Sequence, residues 1–421
     1  MHPHSMFWEE NRDILPGTTS GGKLSPMVRS TLTNQGYATG NADQDSVVTG
    51  ESRVRAAPSC DDPQQDESTA AGGKMNSNKK IRVVQWGLGA MGRGMAQLIT
   101  TKEGLELVGA IDVNPALDGK DVGEVLGVDP LDVKVTTDPS SILDSSKVDV
   151  VTIATTSWVK NQIDDLSTIL SAGVNVVSIA EEMSAPEAQN PELAEKLDDL
   201  AKANGVSIVG VGVNPGFVLD HLVVALTSGS QQVTKVEARR VNDLAPYGET
   251  VLRTQGVGTT PEEFEAGVAD GSIVGHVGFP ESVRLISDAL GLGVDCVEQH
   301  VEPIIAKVAR QARDRVIEPG RVAGCNHTAV GRRGDEEVIR LIHPQQVDPG
   351  AEGTETGDYI TISGVPEISM CIQPEIAGGK ATAGICVNTI PRIFAATPGL
   401  KRVIDLPSPS ALMGPSAYER R

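Results

Sequence analysis

The run IRVVQWGLGAMGRGMAQLITTKEG, beginning at Ile81, admits few folds. A short segment rich in β-formers leads without a break into Gly87-Leu88-Gly89-Ala90-Met91-Gly92, and helix-formers follow. The first glycine permits a tight turn, the second lets backbone approach a pyrophosphate, and the third lets helix and strand pack closely. The helix then turns its amino end, with its unpaired N–H groups, toward the phosphates. Gly87, Gly89, Ala90, Met91 and Gly92 are therefore candidate contacts for a dinucleotide. After the helix, LELVGAID reads as a second strand closing on Asp112, twenty residues beyond Gly92. That spacing suits a carboxylate bonded to the adenosine ribose and favours NAD, with NADP possible. The alternative role for Asp112 is to start a turn before Asn114-Pro115.

The strand–helix alternation continues. VDVVTIATTS is a strand ending in Thr155, Thr156 and Ser157, and VKNQIDDLSTILSAG is a helix with an apolar face. GVNVVSIAEEMSAP, Gly173 to Pro186, reads as a strand apolar on both faces that runs out into Glu181 and Glu182. PELAEKLDDLAKANG is a helix, and VSIVGVGVNPG is a strand ending at Asn214-Pro215-Gly216. This pattern predicts an α/β fold with a doubly wound parallel Rossmann sheet. In such sheets ligands lie outside the carboxyl ends of the strands. The glycine loop, Thr155 to Ser157, the acid pair and Asn214 would all share that edge, with Thr155, Thr156, Ser157 and Asn214 counted among the dinucleotide contacts.

Beyond Gly216 the alternation stops. FVLDHLVVALTSG reads as a helix; strands follow at VTKVEARRVNDLAP, RVAGCNHTAVGRR, EEVIRLIHP, DYITISG and EISMCI, with few helices between them. The expectation is a second α+β domain with a mostly antiparallel sheet, carrying the substrate site. Alternation along VTKVEARRVND puts Arg240 and Asn242 on the face that begins with Val236 and Ala238. Arg240 there is placed either to grip a carboxylate or to form an interface ion pair. His276, in a Gly-flanked loop, is either a substrate contact or a hydrogen-bonded structural residue. The expected division is a leader over 1–78, a dinucleotide-binding domain over 79–216, a substrate and oligomerisation domain over 217–380, and a final helix and tail over 381–421 that packs back. The leader is rich in Gly, Ser, Asp, Gln and Pro without apolar periodicity, so it is expected to be disordered or an upstream extension of a start at Met75. A transit peptide is the alternative, and the acids throughout the segment oppose it.

Composition excludes whole classes of partner. Against 36 basic residues stand 56 acidic ones, a formal net charge of -20, which repels nucleic acid and anionic membranes. No apolar run is long enough to span a membrane. Five scattered cysteines form no CxxC, so neither a disulfide framework nor a metal site is indicated, and a reducing cytoplasm is the expected setting.

With these segments assembled, the chain resembles the 2,4-diaminopentanoate dehydrogenases and native amine dehydrogenases, whose fold is similar to that of dihydrodipicolinate reductase. VVQWGLGAMGRGMA, SIAEEMSAPEA, GVNPGFVLD, RRVNDLAPYGETVLRTQGVG, GHVGFPES, AGCNHTA and HPQQ…ETGDYI carry the resemblance. It implies NAD or NADP as cofactor and interconversion of a small amine or diamino acid with a ketone plus ammonia, in a homodimer. It also implies a catalytic carboxylate at the acid pair, with Glu182 preferred to Glu181, and a substrate pocket around Asn214, Arg240, Asn242, Tyr247 and His276. A carboxylate near the nicotinamide can take the proton that an ammonium must lose before hydride leaves. Only one acid needs to face the cleft, since neighbours on an extended segment point opposite ways; a solvated turn is the alternative for the pair. Two rival readings are a dihydrodipicolinate reductase-like enzyme, whose HHxxKxDxPSGT pattern is absent, and a non-enzymatic NAD sensor.

Overall fold

The computed structural model describes residues 80–313 and 315–418, so the expectations for the leader lie outside the described residues. The first half runs β1 (Ile81–Trp86), α1 (Ala90–Thr100), β2 (Leu105–Ile111), α2 (Val122–Leu126), β3 (Val135–Thr136), β4 (Val150–Ile153), α3 (Val159–Ser171), β5 (Asn175–Ser178), α4 (Pro191–Ala203) and β6 (Ser207–Gly210). Its sheet has the order β15-β6-β5-β4-β1-β2-β3, where β15 is Gly399–Lys401 from the far end of the chain. Every pair in it is parallel. The order reverses between β1 and β4, the crevice where such sheets bind ligands.

Burial explains the run of apolar residues in these strands. β4 and β6 are buried along their whole length because helices cover both faces. On one face Met95 and Ile99 of α1 pack with Cys386, Val387 and Ile390 of α9 (Gly378–Phe394). On the other, Leu166 and Ile169 of α3 pack with Leu197 of α4.

The second half adds α5 (His221–Thr227), β7 (Gln232–Asp243), α6 (Glu249–Thr254), α7 (Pro261–Asp270) and α8 (Phe279–Leu290), then β8 (Cys296–Ile305), β9 (Arg310–Gln311), β10 (Val316–Ile317), β11 (Val322–Arg333), β12 (Glu336–Gln346), β13 (Gly357–Val365) and β14 (Ile368–Ile372). Six of these strands form a sheet ordered β14-β13-β7-β12-β11-β8. Only β7 with β12 is parallel; the other neighbours are antiparallel. Val236, Ala238, Leu341 and Ala329 on one face of the sheet share a core with Phe279, Val283 and Ile286 of α8 and Val223 of α5.

Two local expectations change. The helix read from Phe217 begins at His221, because the Asp220 carboxylate accepts from the Gly216 and His221 N–H groups and stops the turn before it. The segment after β5 is not extended: Glu181–Ser184 is one turn of 3-10 helix, so the two acids are not on strictly opposite faces.

Candidate active site

The glycine loop is held from below. Gly87 has φ +89°, and a Cβ on it would stand 2.6 Å from the Ala154 carbonyl oxygen. A Cβ on Gly92 would stand 1.7 Å from the Gly87 carbonyl oxygen, whereas one on Gly89 would meet open space. Two glycines are therefore required by packing, and the middle one opens the surface a ligand would approach. Beneath the loop, buried Gln85 donates through Nε2 to the carbonyls of Trp86 and Gly87, and Thr152 Oγ1 donates to Gln85 Oε1 at 2.7 Å. Gln85 carried no sequence signal; only the fold shows what it braces. Helix α1 has no side-chain cap and no acid in its first turn, which leaves its amino end electrostatically suited to phosphate.

Asp112 sits at the end of β2 beside this loop. Its Oδ2 accepts from the Leu88 N–H at 2.7 Å, and its Oδ1 from the Asn114 N–H at 2.9 Å. The carboxylate thus ties β2 to the glycine loop and also starts the turn. At the end of β4, Thr155 Oγ1 accepts from Gln162 Nε2, and Thr156 Oγ1 accepts from the Trp158 N–H. Asn214, past β6, is half-buried, and both of its side-chain amide atoms are buried without a bond among the described residues. An open middle glycine, an uncapped helix start, a carboxylate at the ribose position and an orphaned amide fit a dinucleotide.

The acid pair divides its work. Glu182 is only 5% exposed, and its Oε2 accepts from the Val159 N–H at 2.8 Å and from Asn190 Nδ2 at 3.3 Å. It therefore caps α3, whose own N-cap residue, Trp158, offers no side-chain bond. Glu181 is half-buried. Desolvation pushes its carboxyl above the ordinary range and the Glu182 charge adds to this, while its own backbone N–H and Ser157 oppose the rise. The Glu182 carboxylate is thus engaged at a helix end, whereas the Glu181 carboxyl is the one of the pair raised by burial.

In the second half the structure brings Arg240, Asn242, Tyr247 and His276 into one neighbourhood, with companions that the sequence reading did not assign. Arg240 is 2% exposed, and its guanidinium donates to Asp358 and to the Ile376 carbonyl. It is not a free cation: the ion-pair alternative is the observed one, because a guanidinium this deep needs a permanent counter-charge. Tyr247 is bonded to Asn242 and lies in the field of Arg240; burial nevertheless dominates and raises its phenol. A Cβ on Gly378, at the start of α9, would stand 2.5 Å from the Tyr247 hydroxyl, so α9 closes this side.

His276 belongs to a cluster of three imidazoles. Its backbone N–H donates to His327 Nδ1 at 2.9 Å, and its ring meets His343 edge-on, with centroids 5.0 Å apart. His327 and His343 are direct cross-strand partners on β11 and β12. Both rings of the pair His276 and His327 contact Phe279. Burial is the largest cause that keeps all three neutral: it lowers His276 well below the usual value, His327 to about 4 and His343 to about 3, with the Arg240 charge second for His343. Because Nδ1 of His327 accepts a bond, the proton of this neutral ring is on Nε2; His343 donates through Nδ1 to the Arg240 carbonyl, so its Nε2 carries the lone pair. Nε2 of His276, Nε2 of His327 and Oδ1 of Asn242 are buried without partners among the described residues. Pro215 abuts this loop, since a Cβ on Gly278 would stand 2.6 Å from its ring.

A parallel sheet with a glycine loop at its switch point, a raised carboxyl at a neighbouring strand end and a cluster of buried polar side chains on a second sheet define a nicotinamide-dinucleotide-dependent oxidoreductase. A family model for the 2,4-diaminopentanoate dehydrogenase C-terminal domain matches residues 217–421, and one for the dihydrodipicolinate reductase N-terminus matches 81–179. The 2,4-diaminopentanoate dehydrogenase of Acetoanaerobium sticklandii is 42% identical over 340 residues, 80% of this chain and 96% of that protein. An amine dehydrogenase of Streptomyces virginiae is 25% identical over 361 residues, 78% of this chain and 96% of that protein. The solved structure of an amine dehydrogenase from Mycobacterium smegmatis superposes with TM-score 0.70 at 27% identity, covering 79% of this chain and 98% of that one. The chain belongs to the 2,4-diaminopentanoate dehydrogenase family, and it is an oxidoreductase acting on CH–NH2 groups. The reductase reading is weaker, because that family model stops at residue 179. Among the described residues no helix is long and apolar enough to cross a membrane, and no cluster of side chains could hold a metal ion.

Proposed function

We propose that the substrate is a short diamino acid of the 2,4-diaminopentanoate kind, oxidised at one amine to the ketone and ammonia, and that Glu181 accepts the proton. The observation that carries the substrate reading is the set of orphaned polar atoms on Asn242, His276 and His327 beside the Arg240–Asp358 pair. A pocket for a plain alkyl amine gains nothing from buried unpaired donors and acceptors, each of which costs about 1–3 kcal/mol. A substrate with a carboxylate and a second amine satisfies them. The His327 Nε2–H and the Tyr247 hydroxyl suit the carboxylate end, and the unpaired Asn242 Oδ1 and the His343 lone pair suit an ammonium.

The substrate arrives as an ammonium, which has no lone pair to support the forming C=N bond. Glu181 takes one proton and frees that pair. When bound, the nicotinamide supplies the hydride acceptor. Once it has released that proton to solvent, the carboxylate takes one from the water that adds to the iminium carbon and passes it to the nitrogen, and ammonia leaves as the ketone forms. Glu182 keeps the turn in place by holding α3. Asp112 sets the cofactor, with NAD preferred over NADP. The described cysteines are all free, which supports a cytoplasmic setting. For a homodimer, the supporting feature is the face of β7 that carries Lys235, Glu237 and Arg239, which remains solvent-accessible and mixed in charge.

Glu181→Gln should lower kcat by about 10²- to 10⁴-fold with dinucleotide affinity unchanged, because an amide cannot accept the proton. Glu182→Gln should retain more turnover. The assay is reduced-nicotinamide formation from the diamino acid; near-normal turnover of Glu181→Gln rejects the assignment.

A further inference from the structure

Glu281 lies in the first turn of α8 and is fully buried. Its Oε1 accepts from Gln189 Nε2 at 2.8 Å, and its Oε2 has no partner among the described residues. Gln189 follows the short turn Pro186–Ala188, and the next residue, Asn190, donates to Glu182 Oε2. That same oxygen receives the Val159 N–H of α3. A chain of side chains and adjoining backbone thus runs from the six-stranded half to the start of α3, and its middle acid is the neighbour of Glu181.

A carboxylate given one neutral donor in a dry seam is badly solvated and is more stable as the acid. The charged groups around it do not help. Glu182 and Glu187 both act on Glu281 as like charges, and Arg402 is committed to Glu187, Asp288 and Asp405. Asp220, at the start of α5, accepts from the adjacent Ser282. His276 and His327 lie against Phe279, two residues before, and are held neutral. Burial, with these acids adding, pushes Glu281 up to about 7.

We propose that Glu281 is a positioning residue for amine oxidation. As the neutral acid it bonds Gln189 and keeps the segment from Glu181 to Asn190 seated on α8; on losing its proton it repels Glu182 and displaces the turn that carries Glu181. This rests on Glu181 being the proton acceptor.

Glu281→Gln keeps the acceptor for Gln189 and cannot ionise. The informative quantity is the ratio of its kcat/KM to that of the wild type across a range from about pH 5.5 to about pH 9, because titration of the substrate amine and of Glu181 is common to both and cancels. The ratio should stay near one in acid and rise by about threefold or more through neutrality. Gln189→Met, which removes the donor and leaves the acid, should lower kcat/KM throughout with dinucleotide Kd unchanged; it decides the matter if Glu281→Gln does not fold. A flat ratio, or a fully active Gln189→Met where the first variant fails to fold, overturns the positioning role. Glu181→Gln in the same assay separates the two assignments: inactive with a flat ratio, only Glu281 is misassigned, whereas an active Glu181→Gln removes the proton acceptor itself.

Discussion

Acidification should unfold this protein through its histidine cluster, and a single substitution should remove a defined part of that sensitivity. His327 and His343 are buried side by side, with pKa values lowered from 6.5 to about 4 and about 3. In the unfolded chain each imidazole takes up a proton below 6.5, whereas in the folded chain neither does until far lower. The unfolded state therefore binds more protons, and stability present above pH 6.5 is lost as pH falls toward the folded values. At about pH 5 the unfolded chain gains roughly 1.5 units' worth of protonation per ring, about 2 kcal/mol each and about 4 kcal/mol for the pair. His276 shifts in the same direction and adds to this. Against a typical total of about 5–15 kcal/mol, the effect is large. His343→Asn retains a donor for the Arg240 carbonyl, which His343 Nδ1 now serves, and cannot take up a proton. Urea unfolding of both proteins at neutral pH and at about pH 5 gives the test: the wild type should lose about 2 kcal/mol more than the variant on acidification. Equal losses in the two would refute the claim that a buried neutral imidazole at 343 is responsible.

The remaining expectations are shorter. Glu281 has the opposite sign to the histidines: its contribution is complete below 4.5 and is lost as pH rises through about 7, so Glu281→Gln should gain up to about 3 kcal/mol on the wild type above neutrality, measured by the same unfolding curves. Asp112→Ser should move the kcat/KM ratio toward NADP by relieving repulsion of a 2′-phosphate, while loss of the bond to Leu88 weakens both cofactors; an unchanged ratio removes Asp112 from cofactor choice. Arg240→Met strands the Asp358 carboxylate in the interior and should cost about 3–5 kcal/mol of stability. Replacing Asp358 by leucine in the same protein should restore most of that loss, and urea unfolding of the single and double variants checks it.

What could be read from the sequence was whatever repeats or whatever glycine imposes. Strands buried on both faces, as β4 and β6 are, advertise themselves as continuous apolar runs, and the glycine loop has a spacing dictated by sterics that the structure displays at Gly87 and Gly92. The edge strand β8 escaped the reading because CVEQHVEPII is partly or wholly exposed along its length and contains a proline, so no alternation marks it. The site itself was legible by location and less so by role. Strand ends placed Glu181, Glu182 and Asn214 on one edge of the parallel sheet, and alternation along β7 put Arg240 on the face of Asn242. Which of two adjacent acids is accessible depended on a turn of 3-10 helix and on a helix amino end twenty-three residues upstream, where the Val159 N–H bonds to Glu182.

Partnership across long separations is the information that a single sequence lacks. Asp358 lies 118 residues from the Arg240 it neutralises, and Gln189 lies 92 residues from Glu281. Both acids stand within segments that carry the resemblance, ETGDYI and GHVGFPES, yet nothing in those segments names their partners, and each looks like one of the 56 acidic residues of a strongly negative chain. What singles them out is burial, because desolvation makes a counter-charge obligatory for Arg240 and favours the protonated form of Glu281. The histidines obey the same rule: His327 and His343 stood within quoted segments, yet only the register of β11 on β12 makes them a pair, and only their enclosure makes them neutral. A cluster of neutral imidazoles beside a balanced ion pair presents donors and acceptors with little net charge. Such a cluster suits the diamino acid proposed above, itself bearing both signs, because each end can be matched separately, and the proposal leaves Glu181 as the group that takes up the proton.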